Sequence, residues 1–146
     1  RLNKESSFFN LQNYQKGGSI MRIQMRLSKE ARVVLEELKL EYLKKGEDKT
    51  SGVIVDEIFK HFSSNFQKVD WKSVQSAPKF NEILADYTSV NPTTLNLSNS
   101  TISTMSYIRD HFNYILDMKR TVYRSFIIRL VLKAYKLEKE GTDIYL

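Results

Sequence analysis

Residues 22–30 read RIQMRLSKE, and the fold is decided by what this stretch specifies. From Arg22 to Leu27 polar and apolar side chains alternate strictly. Arg22, Gln24 and Arg26 share one face of an extended segment, and Ile23, Met25 and Leu27 share the other. A period of two marks a β-strand with one buried and one wet face. Ser28 then reads as a helix N-cap, with Glu30 in the first turn where the helix dipole favours an acid. Apolar positions continue at Ala31, Val34, Leu35, Leu38 and Tyr42, which is helical spacing, and Gly46 closes the helix behind Lys44 and Lys45. Thr50 or Ser51 caps a second helix whose apolar positions are Val53, Ile54, Val55, Ile58, Phe59 and Phe62.

Downstream of Pro92 the pattern returns. Thr93, Leu95 and Leu97 alternate with Thr94 and Asn96, and Ser98 follows as Ser28 followed Leu27. A shift of 70 residues superposes Met25 on Leu95, Leu27 on Leu97, Leu35 on Met105, Leu38 on Ile108 and Tyr42 on Phe112. A shift of 73 superposes the second helix on Phe126, Ile127, Ile128, Val131, Leu132 and Tyr135. The chain therefore reads as an internal duplication with three residues added to the second inter-helix loop.

Neither copy can close a core alone, and a lone strand leaves its ladder unpaired. The economical solution interlocks the two copies: the strands pair antiparallel into a ribbon over four helices. The expected organisation is an N-terminal arm (1–19, ending at Gly17-Gly18), a first unit (20–66), a linker (67–91), a second unit (92–137) and a C-terminal tail (138–146). The linker carries Trp71, Pro78 and an amphipathic stretch from Phe80 to Tyr87 that reads as a short helix.

These residues resemble the ribbon-helix-helix superfamily of the Arc and MetJ type. The likeness rests on RIQMRLSKE at 22–30 and TSGVIVDEIFKHF at 50–62. The paired copies resemble its tandem, TraY-type form. The resemblance implies a mostly α fold with a short two-stranded antiparallel ribbon, a tandem pseudo-dimer in one chain. It also implies that Arg22, Gln24 and Arg26 read bases in double-stranded DNA. Arg pairs with guanine O6 and N7, Gln with adenine N6 and N7, and a two-stranded ribbon fits the major groove. In the second strand Thr94 and Asn96 hold matching positions, while Pro92 departs from the pattern and cannot donate to the ladder. An ordinary α+β domain, whose alternating strand merely has a solvated outer face, is the competing reading.

The start of each second helix is a seat for phosphate, because its first N–H groups are free and lie at the positive end of the dipole. In the first unit this points to Lys49, Thr50, Ser51 and Gly52. In the second it points to Arg120, Thr121, Arg124 and Ser125, with Tyr123 among them.

Charge agrees with a polyanionic partner. The 146 residues carry 23 Lys and Arg against 17 Asp and Glu, a net charge of +6 with pI near 9.4. Residues 1–66 and 92–146 each hold an excess of three basic residues, and 67–91 balance. Composition also argues against several chemistries. There is no cysteine, so no disulfide framework, thiolate metal site or cysteine nucleophile. The two histidines, His61 and His111, make no cluster for a metal, which counts against a relaxase despite eight tyrosines. No phosphate-binding glycine loop or Ser-His-Asp set is visible.

The sequence thus predicts a non-enzymatic protein without metal or cofactor, soluble, cytoplasmic and nucleoid-associated. It would be a monomer with pseudo-two-fold symmetry, free to associate further on DNA. Two roles stand open for it, transcriptional repressor or origin-of-transfer accessory factor in plasmid conjugation, the latter with a relaxase or another plasmid or phage protein as partner. A protein-interaction module, such as an antitoxin or a scaffold without DNA readout, is the alternative, although the tail LEKEGTDIYL is short for an antitoxin.

Overall fold

A computed structural model describes residues 19–78, 91–117 and 122–146. The arm up to residue 18, the Phe80–Tyr87 stretch, and Arg120 and Thr121 lie outside the described residues. The described residues are mostly helical, with one two-stranded antiparallel sheet among them. Strand β1 (Ile20–Met25) leads into α1 (Lys29–Lys44) and α2 (Ser51–Phe62). A 3-10 turn (Phe66–Lys68) and the short α3 (Trp71–Ser76) follow. Strand β2 (Thr93–Ser98) then leads into α4 (Asn99–Ile115) and α5 (Arg124–Lys139).

The helix starts obey both repeat offsets. Ser28 accepts from the Ala31 amide at 3.2 Å and Ser98 from the Thr101 amide at 3.3 Å, so the first helices are capped 70 residues apart by the same device. The second helices are capped at Thr50 and Tyr123, 73 residues apart, but only Thr50 uses its side chain, accepting from Val53 N at 3.3 Å. Gly46 ends α1 with φ of +86°, and the Glu47 amide reaches back to the Tyr42 carbonyl at 2.9 Å. That backbone requires left-handed φ, which glycine adopts without strain.

Strand β2 contributes Leu95 and Leu97 to the core and the turn between β1 and α1 contributes Leu27, all fully buried, and the helices contribute their periodic apolar residues. Val53 departs from the expected set: it is 42% exposed, while Ile54, Val55 and Ile58 turn inward. A helix of this size buries one face, and three consecutive apolar residues span more than that face can hold.

The described part of the segment expected as a linker packs into the core. Val69, Trp71 and Val74 are buried beside Phe66 at the end of the first unit, and α3 lies along α5. The Trp71 indole donates to the Phe66 carbonyl at 3.0 Å. The C-terminal tail completes this layer. Val69 and Tyr145 form an antiparallel bridge, Asp70 N donates to Ile144 O, and Leu146 N donates to Lys68 O, the last two at 2.7 Å. Helix α5 is consequently covered on faces that α2 leaves open. Leu130 is fully buried where the 73-residue shift places exposed Glu57 in α2. Lys133 is buried too, its ammonium donating to the Gln75 carbonyl at 2.9 Å, and burial pushes its pKa down.

Carboxylates tie α5 and the tail to the first half. Burial pushes the Glu138 pKa up, but the Tyr145 hydroxyl at 2.6 Å and His61 at 2.7 Å outweigh it and hold the group below its ordinary value. The Tyr145 phenol is pushed up to about 12, by burial and then by Glu138. Glu41 is lowered by its 2.7 Å bond from Lys139. A carboxylate depressed in the folded state contributes stability above its unfolded pKa and loses it as pH falls through the folded value. The urea midpoint should therefore decline once pH drops below about 4.3, the ordinary glutamate value. Glu138→Gln should flatten part of that decline; an identical pH profile in the variant would remove this network from the acid sensitivity.

Candidate nucleic-acid interface

The ribbon has a covered face and a bare one. Ile23, Leu95 and Leu97 point into the core, whereas Arg22, Gln24, Arg26, Thr94 and Asn96 are all exposed. Pairing sets these residues opposite one another: Arg22 faces Asn96, and Gln24 faces Thr94. The Gln24 amide donates to the Thr94 hydroxyl at 3.4 Å, a long bond between two exposed groups. Gln24 and Thr94 are also the two residues that the 70-residue shift superposes. Arg26 follows the end of β1 and Pro92 precedes β2, so that corner of the ribbon carries no ladder hydrogen bond.

Neither Arg22 nor Arg26 is in an ion pair among the described residues. Their donors therefore remain available to an outside acceptor. Ile20 shares their face, 68% exposed and opposite Ser98, and the sequence reading passed over it. Its even spacing from Arg22 is the signal that would have found it. An exposed β-branched side chain beside Arg and Gln can make apolar contact with a thymine methyl.

The start of α2 sits against β2. Gly52 is buried, and a Cβ placed there would lie 2.3 Å from the Asn96 carbonyl oxygen and 2.9 Å from its nitrogen. This contact places Thr50, Ser51 and the free first-turn N–H groups of α2 beside the ribbon. Lys49 is more committed than its sequence position suggests. Its ammonium lies 2.9 Å from both Glu57 oxygens, 3.5 Å from Glu47, and 4.2 Å from the Tyr42 ring centroid. The Glu57 hydrogen bond raises its pKa, and Glu57 competes with any phosphate for the charge.

The start of α5 is different. Arg124 is exposed and Ser125 half-buried, Tyr123 is 66% exposed, and α5 makes no approach to β1 comparable to that of α2 on β2. Ser125 occupies the position equivalent to Gly52 and carries the Cβ that so close an approach excludes. The structure thus joins the ribbon to one of the two expected phosphate seats.

No family model, curated protein or solved structure matches the chain. Among the described residues there is no group of three or more His, Cys, Asp or Glu able to hold a metal ion. No helix among them is long and apolar enough to cross a membrane.

Proposed function

We propose that this chain is a tandem ribbon-helix-helix protein that binds double-stranded DNA without catalysis, inserting its two-stranded ribbon into the major groove. The observation that carries this reading is the pairing register. It sets Gln24 against Thr94, so the local axis of the antiparallel ribbon falls where the duplication would put a pseudo-two-fold axis. It also leaves Arg22, Gln24, Arg26, Thr94 and Asn96 bare on the outer face. A ribbon of six residues per strand is about 20 Å long, and its width suits a groove about 12 Å across. Repression of transcription and accessory binding at an origin of transfer both require such a reader, and in either role the protein would work in the cytoplasm on the nucleoid.

The two strands are chemically unequal, so the preferred site should be asymmetric. A symmetric dimer reads palindromes because its two readers are identical. Here Arg22, Gln24 and Arg26 meet one half-site, Thr94 and Asn96 the other. Selection from a random duplex pool should return a non-palindromic consensus bound by a single chain, with more information on the arginine side. A palindromic consensus bound only by two chains would overturn the pseudo-dimer; no enrichment at all would overturn the DNA reading.

Arg22→Ala and Arg26→Ala should each reduce discrimination between the selected site and random duplex by about 1–3 kcal/mol, with the unfolding midpoint unchanged. Competition gel shifts at fixed salt measure this. Equal losses on both duplexes would make the arginines phosphate contacts.

A further inference from the structure

The two halves grip each other at equivalent positions with unlike chemistry. Asp56 on α2 reaches the start of α4 in the other half. It accepts from Ser98 N at 3.2 Å on both oxygens, and its Oδ1 accepts from Ser98 Oγ at 3.3 Å and Thr101 Oγ1 at 2.6 Å. The residue 73 positions on is Arg129 on α5, which reaches back to the start of α1 and donates through Nε to Glu30. Glu30 is buried, 1% exposed, and Arg129 nearly so. One crossing joins a carboxylate to hydroxyls and a helix N-terminus; the other joins a guanidinium to a carboxylate.

We infer that Asp56 with Ser98 and Thr101, and Arg129 with Glu30, form a pairing code that admits only a first half against a second half. If two chains paired their first halves, each Asp56 would meet Ser28, Glu30 and Ala31, which sets a half-buried carboxylate against a buried one and puts alanine where Thr101 now donates. If two second halves paired, each Arg129 would meet Ser98, Ser100 and Thr101 at the positive end of α4, with no acid to neutralise it. Like charges brought together at an interface penalise the wrong partner, which is how such contacts confer specificity. The 70-residue shift places Ser100 where Glu30 stands and Thr101 where Ala31 stands, so duplication followed by divergence at a few positions suffices. This inference rests on the pseudo-two-fold reading proposed above but not on DNA binding. Its consequence is that no assembly of this chain presents two identical strands.

The absence of native cysteines makes the pairing readable by disulfide trapping. Gln24 opposes Thr94 in the ribbon, so in a like-with-like ribbon Gln24 would oppose its own copy. Opposed residues in an antiparallel ladder have Cα atoms about 4.5–5.5 Å apart, within reach of a disulfide. The full chain carrying Gln24→Cys is unfolded, refolded at about 1 mM, comparable to the effective concentration set by a short tether, and oxidised with diamide. The chain carrying Gln24→Cys and Thr94→Cys should close an internal disulfide, which reports a folded ribbon. Gln24→Cys alone should stay monomeric.

Adding Glu30→Ser and Arg129→Asp gives both crossings the Asp-to-hydroxyl chemistry, and the 24–24 linked dimer should rise by about tenfold or more, the factor that 1.4 kcal/mol of lost discrimination produces. Asp56→Arg with Ser100→Glu equalises the crossings the other way and should do the same. Should one background fail to close the internal disulfide, the other decides. The inference is overturned if Gln24→Cys alone cross-links as readily as the equalised chains, or if no folded equalised chain cross-links more than its parent.

Discussion

Gly52→Ala is expected to destabilise the protein by about 3 kcal/mol, at the upper end of what overpacking costs. Helix propensity alone predicts the opposite sign, since alanine in place of a helical glycine gains up to about 1 kcal/mol. The added methyl would lie 2.3 Å from the Asn96 carbonyl oxygen, inside any real contact distance. The obstacle is strand backbone, fixed between β1 on one side and α2 on the other, so no side chain can swing away. Either α2 lifts off β2 or the ribbon shifts against the core. Both separate the start of α2 from the outer face, so affinity for DNA should fall along with stability. Urea denaturation measures the first effect, and Ser125→Gly, which removes a Cβ at the equivalent position of α5, should change stability far less. An alanine variant as stable as the parent would show that α2 does not rest on Asn96.

The same contact shows what a sequence conveys and what it conceals. The parity of Arg22, Gln24 and Arg26 against Ile23, Met25 and Leu27 was legible because a strand encodes its two faces in its period. The Ser28 and Ser98 caps were legible because capping is local chemistry. Gly52 drew notice as part of a helix start, yet its buried approach to Asn96 depends on residues 44 positions away. Lys49 looked like a free cation because nothing local shows that α2 returns Glu57 to within 2.9 Å of it. Residues 66–77 were opaque for another reason. A three-residue turn and a six-residue helix are too short to establish a period, and their covering of α5 is seen only in the burial of Leu130 and Lys133. Lys133 is buried there with its ammonium donating to the Gln75 carbonyl, a partner 58 positions away that no local pattern reveals.

Trp71 offers the sharpest test of that covering layer. Its ring is 1% exposed and lies 4.9 Å from Phe66, 5.1 Å from Phe112 and 6.1 Å from Phe62, centroid to centroid. It therefore joins the 3-10 turn to α2 of the first half and α4 of the second. Trp71→Ala should cost about 3–5 kcal/mol, the range for truncating a buried aromatic, because the surrounding rings cannot all collapse into the space. The Phe66 carbonyl would also lose the indole donor now 3.0 Å away. Trp71→Phe keeps most of the ring contacts and loses only the hydrogen bond and some volume, so it should fall between parent and alanine. Because Trp71 is the only tryptophan, unfolding of the variants should be followed by circular dichroism, with indole fluorescence reserved for the parent. Were residues 66–77 a spacer between two self-sufficient units, Trp71→Ala would behave as a surface change and stay within about 0.5 kcal/mol of the parent. A loss in the expected range, with the m-value unchanged, would instead make this segment part of a single cooperative core, so that the two halves cannot separate without unfolding it.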